Sequence, residues 1–302
     1  MEPRYPFPEV FDSSMLAALK ACPQLFYKVY IAEWKSKGLS VHLHAGGAFS
    51  KGIETTRRLF YDHNWTADDS VAFGMWTLIQ SYGDITIDEE SAKQCLDMAG
   101  AFLFYWDNYP LNHEAAYPIL LPGGRRAIEF SFVHPLGVAH PVTDQPILYS
   151  GRTDAILQYA GAPYIFDEKT TGQMGPTWPR QWKLRSQYAA YSWGAKEAGI
   201  PVKGVVTRGV CILKTEYKTA ESIDNFLDWE LDRWYSEALE WISDAVRYWK
   251  TGRWRYNLES SCSSYGGCGF QSVCKNEDET PWLETYFERR HWNPVTREET
   301  VL

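Results

Sequence analysis

The feature that most constrains this chain is a change of hydrophobic period along it. Ala45, Ala48, Phe49, Ile53 and Phe60 approximate a 3.6-residue stripe over 45–63, with Ser50, Glu54, Arg57 and Tyr61 on a neighbouring polar face. Helices are expected again over about 68–81 and 90–106. From 127 to 170 the period falls to two. AIEFSFV (127–133), LYSGRTDAILQY (148–159) and the short YIFDEKT (164–170) read as strands. After the loop GQMGPTWP (172–179), a helix is expected over about 180–198 and a strand over 204–214. A long amphipathic helix is expected over 219–250, with Ile223, Leu227, Leu231, Trp234, Ala238, Trp241, Ala245 and Trp249 on its seam. Helices, then strands, then helix–strand–helix imply an α/β fold with a mixed β-sheet core flanked by helices. The 302 residues fit a single domain with a helical part (1–110), a core (111–250) and a loop-rich, cysteine-bearing segment with a tail (251–302).

Two further helices open the chain. Asp12-Ser13-Ser14 is a cap signal before MLAALKAC, and Pro23 suits the first turn of PQLFYKVYI. Cys22 therefore sits at a helix N-terminus, where partial positive charge favours a thiolate.

Hydrophobic residues make up 45% of the chain, which excludes a disordered tail. The formal net charge of −8 argues against a protein that coats polyanions by bulk attraction. Local basic clusters remain at Arg57-Arg58, at Arg125-Arg126 and at Arg180, Lys183 and Arg185. The 14 tryptophans suit packed helix seams, or stacking platforms for bases. The first residues lack a cationic segment followed by an apolar run, and no stretch approaches the ~18 apolar residues of a membrane helix. A soluble cytoplasmic protein is expected, and in that reducing compartment six cysteines argue for metal or cluster ligation before disulfides.

The chemistry concentrates on two strands. Side chains alternate along a strand, so Asp167 and Lys169 share a face and Glu168 takes the other. Pairing 164–170 with 148–159 would set Asp154 beside Asp167. Two carboxylates can hold Mg²⁺ or Mn²⁺, which prefer oxygen ligands. A lysine beside them can assist a water or stabilise charge at a scissile phosphodiester. A D-x-K tripeptide alone is equally a surface ion pair worth about 0–1 kcal/mol.

The surrounding segments GGAFSKGIE (46–54), GRTDAI (151–156), IFDEKTT (165–171) and QYAAY (187–191) extend the pattern. Together, over roughly 12–275, the chain resembles the RecB-like branch of the PD-(D/E)xK nuclease superfamily, near phage-encoded and CRISPR-associated exonucleases. The resemblance implies a restriction-endonuclease-like fold and a DNA exonuclease acting in recombination, repair or DNA-end processing. It implies Glu54, Asp154 and Asp167 as ligands of Mg²⁺ or Mn²⁺, Lys169 as the catalytic lysine, and Gln187 and Tyr191 as residues that position lysine and DNA. DNA is the implied partner, with a recombination protein as a possible second; oligomeric state and strand polarity are not readable. Where many relatives carry a metal-binding histidine, this chain has Ser50, so His42 or His44 would have to reach in, or water complete the shell. A catalytically inactive DNA-binding or partner scaffold of the same fold is the alternative reading, and RNA cleavage a weaker third.

Cys262, Cys268 and Cys274 follow a C-x5-C-x5-C spacing. Nucleases of this branch that carry an iron–sulfur centre use one early and three late cysteines, so the resemblance implies a [4Fe–4S] cluster on Cys22, Cys262, Cys268 and Cys274. The wider spacing leaves structural Zn²⁺ as the alternative. Cys95 and Cys211 fall in regular structure and read as small buried hydrophobes.

Overall fold

The computed structural model describes residues 5–38, 40–83, 91–112, 116–263 and 267–301. In chain order the elements are β1 (Val10–Phe11), α1 (Ser13–Ala21), α2 (Pro23–Phe26) running into a π-helical turn (Tyr27–Ile31), β2 (Trp34–Ser36), α3 (Val41–His63), α4 (Ala67–Tyr82) and α5 (Cys95–Asn108). Then come β3 (Ala116–Pro118), β4 (Ile128–Ala139), β5 (Pro146–Tyr159), β6 (Ala162–Thr171), a 3-10 turn (Trp178–Gln181), α6 (Ser186–Glu197), β7 (Gly204–Ile212) and β8 (Tyr217–Asn225). The long α7 (Asp228–Thr251) precedes α8 (Ser260–Ser263), α9 (Gln271–Cys274), α10 (Thr280–Tyr286), β9 (Phe287–Asn293) and β10 (Glu298–Val301). The mixed sheet flanked by helices is the architecture expected from the change of period.

The chain divides into two compact units. One comprises 40–131 and 152–228; the other comprises 1–39, 132–151 and 229–302. In the first, β5 and β6 are antiparallel, β6 and β7 parallel, and β7 and β8 antiparallel. A two-residue turn joins β5 to β6, with Ala160 and Gly161 both at positive φ (48° and 81°). That geometry matches the twist of a hairpin and fixes its register at Tyr159↔Ala162. Helices α3, α4 and α5 cover one face, where Phe49, Ile53, Leu78, Met98, Phe102 and Tyr105 close over Val210 and Ile212 of β7.

In the second unit, β1 lies parallel to the start of β5 at Leu148 and Tyr149. The buried seam of α7 runs through Leu231, Trp234, Ala238, Ile242, Ala245 and Tyr248, and Trp234 meets the Tyr149 ring edge-on. After α10, residues 287–301 form a hairpin whose β9 pairs with β2, and Trp292 donates its indole N–H to Asp12, the cap of α1.

Several sequence expectations need correction. The helix expected at 219–250 begins only at Asp228, because YKTAESIDN alternates and completes nine pairs with β7. Ile223 and Leu227 are therefore exposed rather than on the seam. The expected helix at 180–198 starts at Ser186. Ahead of it, Trp178 and Trp182 pack edge to face across the 3-10 turn. Helix α3 starts at Val41, four residues earlier than the apolar stripe, capped by the Ser40 hydroxyl. The second opening helix turns π after Phe26. The helix expected at 90–106 is α5 at 95–108; residue 90 lies outside the described residues.

Helices α3 and α4 cross where Gly52 and Gly74 face each other. A Cβ on Gly74 would lie 1.9 Å from the Thr56 hydroxyl and 2.8 Å from the Gly52 carbonyl. Gly74→Ala is expected to lower stability by about 1–3 kcal/mol through overpacking, read as a drop in thermal midpoint. An unchanged midpoint would mean that the crossing tolerates separation.

Candidate active site

The β5–β6 turn decides which side chains meet. The ladder runs from Tyr159↔Ala162 to Ala155↔Phe166, and one residue beyond its last pair stand Asp154 on β5 and Asp167 on β6. Asp154 Oδ2 accepts the backbone N–H of Glu168 at 2.9 Å. Asp167 is buried at 4% exposure, and its Oδ2 takes a 2.6 Å ion pair from Lys169 Nζ and a 2.8 Å hydrogen bond from the Tyr188 hydroxyl. Lys169 keeps about a third of its side chain exposed (34%), so its amine borders both the carboxylate and solvent. Gln187 donates to the Tyr191 hydroxyl at 2.7 Å, and Tyr191 lies in electrostatic reach of Lys169. The structure thus brings together Asp154, Asp167, Lys169, Gln187 and Tyr191.

Glu168 points to the opposite face, as strand alternation requires. There it meets Arg57 of α3 in a two-pronged ion pair, one prong at 3.2 Å, and accepts the Tyr105 hydroxyl at 3.0 Å. Burial alone would raise the Glu168 carboxyl; the Arg57 guanidinium overcomes this and holds it below the usual range.

Asp154 behaves oppositely. Burial first, then the neighbouring Asp167 and Glu168, drive its pKa well above the carboxylate range, against Lys169. Burial would lower Lys169, but Asp167 and Asp154 raise it. Two adjacent acids, with the Asp154 carboxyl raised first by burial and then by its acidic neighbours, form a site whose repulsion a divalent cation with oxygen preference would relieve. The donor set therefore fits such an ion. Among the described residues, however, no three His, Cys, Asp or Glu side chains already form a metal-holding group.

Glu54 stands at the margin. Lys51 and Arg58 each hold its carboxylate at 2.8 Å. It interacts with Glu129, whose charge in turn reaches Asp154. Glu129, which sequence reading missed, sits at φ 52° near the start of β4 and pairs with Arg152 at 3.1 Å. The signal was an acid inside the apolar alternation of AIEFSFV. Tyr188 was also missed, although it stands three residues before Tyr191, a helical neighbour position.

Neither histidine takes the place of Ser50. His44 hydrogen-bonds the Tyr82 carbonyl at 2.8 Å, and His42 is exposed roughly 18 Å along the helix from Glu54. The Arg57-Arg58 pair is no open basic groove, because Arg57 is 3% exposed on Glu168 and Arg58 is spent on Glu54 and Asp62.

In the other unit, the four cysteines of interest form no disulfide. Cys22 Sγ accepts the Asn257 N–H at 3.4 Å, the Cys268 N–H bonds the Cys262 carbonyl at 2.9 Å, and Cys274 is influenced by both Cys268 and Cys22. Burial first, and then Glu279 and the two neighbouring thiols, push the Cys274 thiol up to about 11, against Lys28. Cys211 is buried as expected, whereas Cys95 is half-buried.

A family model described as the PD-(D/E)XK nuclease superfamily matches residues 13–275. The chain belongs to that superfamily. Among solved structures, a candidate exonuclease from Eubacterium rectale is similar at 12% identity and a TM-score of 0.48, covering 85% of this chain and 88% of its own. SSO0001 is similar at 13% identity and a TM-score of 0.29, covering 66% of this chain and 74% of its own. Both are too distant to carry an argument about function. No curated protein matches. Among the described residues, no helix of this superfamily member is long and apolar enough to cross a membrane.

The raised Asp154 gives a signed prediction for metal-free protein. Its folded pKa exceeds the unfolded value near about 3.9, so the folded state binds the extra proton and stability falls as pH rises above that value. Asp154→Asn keeps an acceptor for the Glu168 N–H and removes the charge. In EDTA near neutral pH, it is expected to be more stable than wild type by about 1 kcal/mol or more. Equal urea midpoints at pH 4 and pH 7 in both proteins would show that the two acids do not repel.

Proposed function

We propose that the chain is a divalent-metal-dependent DNA exonuclease, acting on DNA ends in recombination, repair or end processing. The observation that carries this is the opposition of Asp154 and Asp167 across an antiparallel pair, with Lys169 on Asp167. In this reading Asp154 and Asp167 hold Mg²⁺ or Mn²⁺, and Glu54 completes the set once freed from Lys51 and Arg58. The ion, when bound, polarises a phosphodiester and acidifies a water. Lys169 keeps its proton at Nζ and offers it to developing negative charge. Asp167 and the Gln187–Tyr191 pair fix the position of that amine. Tyr188 fixes the Asp167 carboxylate from the side away from solvent.

The cysteines support a second element of the proposal, a [4Fe–4S] cluster held by Cys22, Cys262, Cys268 and Cys274, with Zn²⁺ as the alternative. Burial raises the Cys274 thiol, and a cation that takes it as a thiolate would offset that cost. The proposal places the protein in the cytoplasm, in a phage-infected host if phage-encoded, with DNA and a recombination protein as partners.

Ser50 and the clamp on Glu54 favour a catalytically inactive DNA-binding scaffold as the second reading. A digestion assay separates the two. Wild-type protein with Mn²⁺ is expected to release nucleotides from end-labelled DNA, and Lys169→Ala to slow this by about a hundredfold or more while DNA binding persists. Cleavage by Lys169→Ala at the wild-type rate would end the catalytic assignment, and binding without cleavage by wild type would establish the scaffold. RNA run alongside decides the substrate.

Protein purified without oxygen is expected to be brown and to lose its colour and iron in Cys22→Ser. A colourless protein with stoichiometric zinc would identify the alternative ion. Metal-free, fully titratable thiols would remove the cysteine site.

A further inference from the structure

On the face of the sheet away from Asp167 and Lys169, a cavity of about 300 Å³ opens between α3, α5 and the strands. Its wall is aromatic: Tyr61, Trp106, Tyr109 and Tyr159 all line it. Its floor is a connected polar network. Tyr159 donates to Glu221 Oε1 at 2.7 Å, Arg208 Nε donates to Glu221 Oε2 at 2.8 Å, and Arg208 is linked through Tyr105 to Glu168 and Arg57. The Arg208 guanidinium stacks over Tyr109 at 4.0 Å from the ring centroid. The Asn108 amide stands at the rim. The indole N–H of Trp106 finds no acceptor among the described residues.

Each feature narrows the ligand. The two guanidiniums are matched by two carboxylates, Glu168 and Glu221, so the cavity carries no net charge to draw a phosphate. Flat aromatic and guanidinium surfaces favour a planar ring system. The Glu221 carboxylate and the Asn108 side-chain oxygen, which line the cavity, add acceptors for donors on the edge of such a ring. The volume is at the small end of ligand sites and suits one base with its sugar. The ion pairs are buried and mutually bonded, so the floor is set before a ligand arrives.

We infer that this cavity is a binding site for an unstacked nucleobase, taken as a nucleoside or as the base of a nucleotide. It is separate from the candidate active site and does not depend on the nuclease reading.

The four deoxynucleosides, titrated singly into the full-length protein by calorimetry, test it. At least one is expected to bind with a Kd tighter than about 1 mM. Tyr109→Ala and Asn108→Trp are each expected to weaken that binding by about tenfold or more, while Lys169→Ala leaves it unchanged. Inorganic phosphate is expected not to compete. If neither cavity variant folds, photolabelling of wild type with 8-azido-2′-deoxyadenosine replaces them, with the label expected at 106–111. The inference is overturned if no nucleoside binds, if both folded cavity variants bind as wild type does, if Lys169→Ala abolishes binding, if phosphate displaces the nucleoside, or if the label falls elsewhere.

Discussion

The buried pair between Arg57 and Glu168 is the constraint on which the rest of the candidate site depends. β6 carries acid, acid and lysine at consecutive positions, so its two faces differ in charge by design of the sequence alone. A slip of one residue would turn Asp167 and Lys169 into the helical layer and Glu168 towards the site. Arg57, on the helix that covers this face, accepts only a carboxylate opposite it. Both partners are almost wholly inside, at 3% and 2% side-chain exposure, where an unpaired charge costs several kcal/mol. Such a pair contributes little net stability compared with apolar residues of the same shape. Its contribution here is registry: it makes the alternative pairings of β6 far worse than the observed one.

The opposite face is left unbalanced in the same measure. Asp154 and Asp167 are neighbours with Lys169 paired to Asp167, and burial together with that acidic neighbour holds the Asp154 carboxyl well above the usual range. Arg57 is committed to Glu168 on the other face of the sheet. Many of the chain's other cations are engaged locally: Lys51 and Arg58 on Glu54, Arg152 on Glu129, Arg208 on Glu221. With a formal charge of −8, attraction to a polyanion has to be generated at the site rather than over the surface. On the proposed reading that is the part of the divalent ion, and the acid pair is destabilising in its absence for the same reason that it is useful in its presence.

Periodicity made the core strands legible, since β5, β6 and β7 fall close to the segments where apolar alternation or an unbroken apolar run predicts them. The Asp154–Asp167 meeting was legible too, because Gly161 marks a tight turn and a tight turn sets the ladder. What escaped is tertiary. Residues 219–225 fit the seam of the following helix as well as they fit a strand, and only the free edge of β7 decides between them. Arg57 read as half of a surface basic cluster because the adjacent Arg58 is polar-facing; one helical step of about 100° separates a solvated cation from a buried one. Tyr188 was hidden by its neighbours Gln187 and Tyr191, which form the recognisable pair, although it is Tyr188 that touches Asp167.

Glu54 is held within its own helix. One helical turn before it stands Ser50, and its carboxylate is paired with the cations that helix supplies, Lys51 at i−3 and Arg58 at i+4. Each such pair is worth only a few tenths of a kcal/mol, so a divalent ion held by Asp154 and Asp167 could displace both. Glu129, in a left-handed residue conformation in β4, interacts with both Glu54 and Asp154. Its burial and its repulsion from Glu54 raise its own pKa against the pull of Arg152.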